Sequence, residues 1–149
     1  MKCVMVGVFL VCLFSFAQMA PPAFQLPSEE QRNLIALKCI EEVNIDKRII
    51  EEVLKTEVLP KTNRKYKKFL ECSYKKQGFL SLDGRRMLYD NLFSFLSEFY
   101  QVDDLGVLEH CKMIRVDDPA ELCFRNLECI LVSLRLIEAD DGEVDTNNV

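Results

Sequence analysis

The sequence predicts an all-α domain, on three observations. Only five Gly, five Pro and no Trp occur among the 149 residues, too few turn-forming residues for a many-stranded sandwich. Apolar residues recur at helical spacing, most clearly between Phe124 and Leu134. The hydrophobic content of 49% supplies one packed core, and five cysteines beyond the first 20 residues can staple it.

The N-terminal stretch has the pattern of a secretory signal peptide. Lys2 precedes an apolar run from Val4 to Phe16. The small residues Ser15 and Ala17 match the pattern of a signal-peptide cleavage site. The run is shorter than the ~20 residues that span a bilayer. We therefore expect a signal peptide over 1–17, removed after Ala17, and a proline-containing lead over 18–27 in a soluble, extracellular chain without a membrane span.

A helical domain is expected over residues 28–137. Its first helix opens at Ser28, with Gln31 completing a capping box, and is interrupted at Asn44-Ile45-Asp46. Asp46 caps a second helix, which ends before Pro60 because the residue preceding proline avoids helical angles.

The third helix is predicted to begin at Thr62 or Asn63 and to end at Gly78. Lysines and Arg64 cover its polar side, which is either a solvated face or a patch for an acidic partner or lipid headgroup. The fourth helix is predicted from Asp83 or Gly84 to Tyr100. Its apolar arc is wide enough to face both the core and a cavity, although plain core is an equal alternative.

A fifth, short helix is expected from Asp103 or Asp104 to Met113. Asp118 then caps a sixth helix, with Pro119 at its first position and Glu121 as capping-box partner, running to about residue 137. Residues 138–149 are acidic and polar and are expected to form a disordered tail.

Several function classes are disfavoured by the residues present. A formal net charge of −5 argues against nucleic-acid binding, which requires a basic surface. His110 is the single histidine, and the chain has neither a Cys-x-x-Cys pair nor a Gly-rich phosphate loop. We expect no catalysis, metal or cofactor. His110 is interpreted as an exposed helix residue beside a cysteine, with a pH-sensing role as the alternative.

The spacing of the cysteines is the most informative motif. Cys72 and Cys111 are separated by 38 residues, and Cys111 and Cys129 by 17. Cys72 is followed six residues later by Gly78 and then by a Leu82-Asp83-Gly84 turn. This layout resembles that of the insect odorant-binding proteins, over roughly Ser28 to Leu136.

The family pattern has six cysteines, and this chain lacks the second and fifth, at the positions of Lys68 and Ala120. These two pair with each other in the family, so their joint absence resembles the four-cysteine branch, called C-minus. The resemblance implies the disulfides Cys39–Cys72 and Cys111–Cys129. The lost bridge would have joined the third and sixth helices, so we expect a looser contact there and an adaptable pocket.

Cys123 departs from this pattern, because no thiol lies near residue 68 to pair with it. A buried free thiol is the first interpretation, and an intermolecular disulfide is the second.

The resemblance implies six helices around an internal apolar cavity and an extracellular carrier of odorants, pheromones or lipid-like molecules in olfaction or transport. Expected partners are a small hydrophobic ligand and a chemosensory receptor, with the chain a monomer or weak homodimer. The alternative is a secreted helical signalling protein with a solid core. Residues expected to contact the ligand, two of them through tyrosine hydroxyls, are Leu54, Phe69, Tyr74, Leu88, Tyr89, Leu92, Phe95, Leu96, Phe99, Leu108, Met113, Phe124, Leu127 and Leu131.

Overall fold

A computed structural model describes residues 23–141 and contains six helices in that range. The expected signal peptide and the first part of the lead lie outside the described residues. Five helices are α-helical and one is a 3₁₀ helix. They are α1 (Glu29–Val43), α2 (Lys47–Thr56), α3 (Arg64–Gln77), α4 (Tyr89–Leu96), the 3₁₀ helix (Asp104–Met113) and α5 (Pro119–Asp141).

The predicted helix starts are confirmed for the first three helices. Ser28 and Gln31 form a reciprocal capping box at α1, and Asp46 accepts a hydrogen bond from the Arg48 backbone at α2. Asn63 rather than Thr62 caps α3. Gly78 ends α3 with a positive φ of 80°, and its N–H donates to the carbonyls of Tyr74 and Lys75.

The prediction for the fourth helix is wrong at both ends. Residues 81–86 form a tight turn instead, closed by a backbone bridge between Leu80 and Met87 and by a hydrogen bond from the Ser81 N–H to the Arg86 carbonyl. Asp83 stabilises this turn by accepting hydrogen bonds from the Ser81 hydroxyl and the Arg85 N–H. An Asp side chain of this kind competes with helix formation, so α4 starts only at Tyr89.

Two further boundaries differ from expectation. The fifth helix is a 3₁₀ helix rather than an α-helix. The sixth, α5, is capped by the Asp118 carboxylate as predicted, but it continues to Asp141, beyond the expected end near 137. Residues 138–141 therefore belong to the helix and not to a tail, and residues 142–149 lie outside the described range.

The two implied disulfides are confirmed. Cys39–Cys72 joins α1 to α3 with a Cα–Cα distance of 5.8 Å, and Cys111–Cys129 joins the 3₁₀ helix to α5 with a distance of 5.9 Å. The bonded cysteines are 33 residues apart in sequence in the first bridge and 18 residues apart in the second.

Charged side chains join α3 and α5 beside the position of the missing disulfide. Ala120, at the position of the missing fifth cysteine, is fully buried. Ion pairs cross the interface beside it: Arg64 with Asp118, Lys67 with Glu121 at 2.6 Å, and Lys61 with Glu128 at 2.8 Å. Ion pairs thus connect these helices where the family has a covalent bond, and the looser contact stays a prediction.

We predict that Gly78→Ala destabilises the fold more strongly than Gly106→Ala. A Cβ at position 78 would combine a φ of 80° with a 2.6 Å approach to Cε2 of Phe24, whereas a Cβ at position 106 meets nothing within 4 Å. Urea unfolding should show a loss above about 1 kcal/mol for Gly78→Ala and a neutral or favourable change for Gly106→Ala. Equal effects would contradict the role of Gly78.

We also predict that acid weakens the α3–α5 contact through Asp118 and Glu121. Hydrogen bonds from Arg64 and Lys67, respectively, lower the pKa of these carboxyls below their ordinary values of 3.8 and 4.5. A carboxyl whose folded-state pKa is lowered stabilises the fold above its ordinary pKa, and this stabilisation is lost as the pH falls through the folded-state pKa.

The Asp118→Asn, Glu121→Gln double variant should accordingly be less stable than the unmodified protein at pH 7. The difference in unfolding free energy should shrink progressively below about pH 4.5. Glu51→Gln, which removes one exposed intrahelical ion pair, is the control and should show little pH-dependent difference. A constant difference from pH 7 to pH 3 would refute this role.

Candidate functional site

The interior is an apolar cluster built mainly from α3, α4, the 3₁₀ helix and α5. Leu80 and Leu108 are almost completely buried, and Phe124 is 2% exposed. Edge-on aromatic contacts extend through it, with ring centroids 6.4 Å apart for Tyr66 and Phe124. The interior is therefore apolar, and aromatic rings form a large part of it.

The structure separates the predicted ligand contacts into three groups. Five are buried in this cluster: Phe69, Leu92, Leu96, Leu108 and Phe124. Six are half-buried, and four of these, Tyr74, Tyr89, Phe95 and Leu127, pack against the cluster. The other two are Leu88 and Leu131. Leu54, Phe99 and Met113 are exposed by 78, 63 and 75%, respectively. Phe99 lies beyond the end of α4 at Leu96 and contacts the Phe95 ring edge-on, with the ring centroids 5.3 Å apart.

The clefts found around this core are open to solvent. The one with the most charge, which we call the arginine cleft, has a volume of about 460 Å³. It lies between the 81–86 turn and the segment that links the 3₁₀ helix to α5. Its lining residues are Arg85, Arg86, Met87, Tyr89, Lys112, Ile114, Arg115, Val116, Asp117 and Leu122.

A second cleft of about 550 Å³ lies on the other side of the same linking segment. It shares Ile114, Arg115 and Val116 with the arginine cleft and also contains His110 and Arg125. Among the predicted ligand contacts, only Tyr89 lines the arginine cleft, and neither cleft contains the buried group.

Tyr89 connects the arginine cleft to the protein interior. Its hydroxyl donates to the Cys111 carbonyl at 2.9 Å and accepts from Nδ2 of Asn126 at 2.8 Å. Asn126 is fully buried, and its Oδ1 has no partner among residues 23–141. The Tyr89 hydroxyl proton is therefore used internally, which leaves the ring as the part of this residue available to the cleft.

Burial raises the pKa of Tyr89, while the Asn126 hydrogen bond and the positive charges of Arg115 and Lys112 act in the opposite direction. Arg115 and Lys112 are thus near enough to Tyr89 for their charges to act on its phenol. Burial also raises the pKa of Tyr74, so this hydroxyl remains protonated.

His110, Cys111 and Cys129 lie together, but the two sulfurs of this cluster form a disulfide. His110 lies with Nε2 3.3 Å from Sγ of Cys129, and Cys111 completes the cluster. Both sulfurs are bonded to each other and so cannot bind a metal as thiolates. Cys123 lies outside both disulfides and is buried. Burial raises the pKa of this thiol to about 12, which keeps it protonated and unreactive.

Sequence reasoning missed the arginine cleft. Arg85 and Arg86 fell within the predicted fourth helix, and Arg115 lay in an interhelical segment without a motif. The adjacent Arg85-Arg86 pair beside Leu82-Asp83-Gly84 was an available signal, because two cations in a turn concentrate charge at one point.

A family model, the PBP/GOBP family, matches residues 23–133. The chain belongs to this family of insect pheromone- and odorant-binding proteins. The match covers every described helix except the last turns of α5, and the members of the family are binding proteins. No curated protein matches the chain. Within residues 23–141, no helix of this PBP/GOBP member has the length and apolar character needed to cross a membrane.

We predict that Tyr89→Phe destabilises the fold by about 1–3 kcal/mol, because the buried Asn126 side chain loses its hydrogen-bond partner. Tyr100→Phe is the matched control, since its hydroxyl contacts the exposed Glu138. The control should change the unfolding free energy by less than about 0.5 kcal/mol. Equal losses in urea titrations would contradict a structural role for the Tyr89–Asn126 pair.

Proposed function

We propose that this protein is an extracellular carrier that reversibly binds small hydrophobic molecules such as odorants, pheromones or lipid-like compounds. The observation that carries the proposal is the match of residues 23–133 to the PBP/GOBP family. Two disulfides on the family's spacing support it, since they keep a helical shell intact while side chains rearrange around a ligand.

The ligand site we propose is the apolar interior beside α4 and α5. Phe95 and Leu127 are half-buried and border the buried cluster, so they are in position to contact an entering ligand. A hydrophobic ligand that leaves water here gains about 25 cal/mol for each Å² of apolar surface buried.

Secretion is part of the same proposal. The Lys2 and Val4 to Phe16 pattern supports a signal peptide, and the disulfides suit an oxidising compartment. A chemosensory receptor is the proposed macromolecular partner of the loaded carrier, and the proposed state in solution is a monomer or weak homodimer.

The alternative is a secreted signalling or interaction protein with a solid core. It is favoured by one observation: Leu108 and Phe124 are almost completely buried, and the described clefts lie at the surface rather than among these residues. The two functions differ in whether the interior admits a small molecule.

We expect the oxidised, delipidated protein to bind the fluorescent probe N-phenyl-1-naphthylamine, with displacement by a small volatile. Leu127→Phe should weaken probe binding several-fold, because the larger side chain fills space beside the core. Val132→Phe adds the same group at a 54% exposed position of the same helix and should leave probe binding unchanged.

Fluorescence titration would distinguish the two functions, and thermal unfolding of each variant would verify that the variant is folded. Failure of the properly oxidised protein to bind the probe would reject the carrier and favour the solid-core alternative. Equal effects of Leu127→Phe and Val132→Phe would reject the proposed site on α5.

A further inference from the structure

The arginine cleft concentrates positive charge on an acidic protein. Arg85, Arg86, Lys112 and Arg115 line it, with Asp117 as the one acidic residue in the lining. The chain as a whole has a formal net charge of −5. Four cations around one opening are therefore a local exception to the charge of the surface, and they create a positive potential there.

Three of these cations have no ion pair within residues 23–141. Lys112 pairs with Glu109 at 2.8 Å, whereas the guanidinium groups of Arg85, Arg86 and Arg115 contact no carboxylate of that range within 4.0 Å. Most of the other arginines with described side chains do form such pairs, for example Arg64 with Asp118. The three arginines therefore keep donors that an anion can use.

The arginines are held at the cleft by backbone structure rather than by their own charges. The 81–86 turn is closed by the hydrogen bond from the Ser81 N–H to the Arg86 carbonyl, and Asp83 accepts from the Arg85 N–H. Arg115 uses Nη1 for the carbonyls of Lys112 and Ile114 and retains its other nitrogens. The backbone positions of Arg85 and Arg86 and the side chain of Arg115 are thus set before a ligand arrives, which reduces the part of the entropic cost of binding that these groups would contribute.

The floor of the cleft is apolar and continuous with the protein interior. Met87 and Leu122 line the cleft and are also members of the buried cluster, at 8 and 4% exposure. Tyr89, Ile114 and Val116 complete this floor. A ligand placed here would meet cations at the rim and hydrocarbon below, which matches a molecule with an anionic head and an apolar chain.

We infer that the arginine cleft binds the carboxylate of a fatty-acid-type ligand, with the head at Arg85, Arg86 and Arg115 and the chain against Met87 and Leu122. The planar guanidinium group matches a carboxylate through paired hydrogen bonds. This inference rests on the proposed carrier function and specifies its ligand class: a carboxylate is bound in preference to a neutral molecule of the same length.

The test compares dodecanoate with dodecanol as competitors of N-phenyl-1-naphthylamine at pH 7.5, where the acid is ionised. We expect dodecanoate to displace the probe at an approximately tenfold lower concentration, with the preference decreasing at high salt. Arg85→Gln, Arg86→Gln should abolish the preference without changing dodecanol binding. These side chains make no described hydrogen bond, so the turn should remain folded, as circular dichroism would verify.

Lys38→Gln, Lys55→Gln is the charge-matched control, because it removes two exposed cations from α1 and α2 that have no ion pair within residues 23–141. It should retain the preference for dodecanoate. Equal displacement by both competitors, or a preference that survives Arg85→Gln, Arg86→Gln, would overturn the inference and leave the carrier function standing. Loss of the preference for dodecanoate in the Lys38→Gln, Lys55→Gln control would also overturn the inference. Failure of probe and both competitors to bind would reject the carrier function itself.

Discussion

Helix α3 is held from two sides, and the arrangement of the other helices depends on this constraint. Cys39–Cys72 attaches it covalently to α1, while Arg64 and Lys67 attach it to Asp118 and Glu121 of α5. A disulfide acts chiefly by restricting the unfolded chain, whereas ion pairs act in the folded state and respond to pH and salt. The attachment of α3 to α1 therefore persists under non-reducing conditions, whereas its attachment to α5 responds to pH and salt.

The side of α3 that is ion-paired with α5 lies next to the interior that we propose to accept ligands. Lys67 contacts Glu121 and also lies 4.7 Å from the ring centroid of Phe124, so the same side chain contacts the polar rim and the aromatic core. Ala120 leaves no covalent link at this interface. Ion pairs keep α3 and α5 together here without a covalent bond, and the predicted adaptable pocket would require small changes in the separation of these two helices.

The charges of the protein follow a similar division. At the α3–α5 contact, cations and carboxylates are paired, and they position helices. At the arginine cleft, three guanidinium groups lack such partners among the described residues, and the apolar floor below them belongs to the core. An unpaired cation at the surface is well solvated, so it costs little folding free energy. These arginines are therefore compatible with the fold, and we expect them to contribute more to ligand recognition than to stability.

The sequence by itself determined the helical class and the cap residues Ser28 and Asp46, and its resemblance to the family implied both disulfides. The caps depend on short-range hydrogen bonds, which one chain segment displays directly, while the choice between Thr62 and Asn63 as the cap of α3 needed the structure. The end of α4, the ion pairs that replace the missing bridge and the arginine cleft were decided by tertiary structure. Arg85 and Arg115 line one cleft because a turn and a linking segment fold to the same opening, and no local pattern encodes the proximity of segments so distant in sequence.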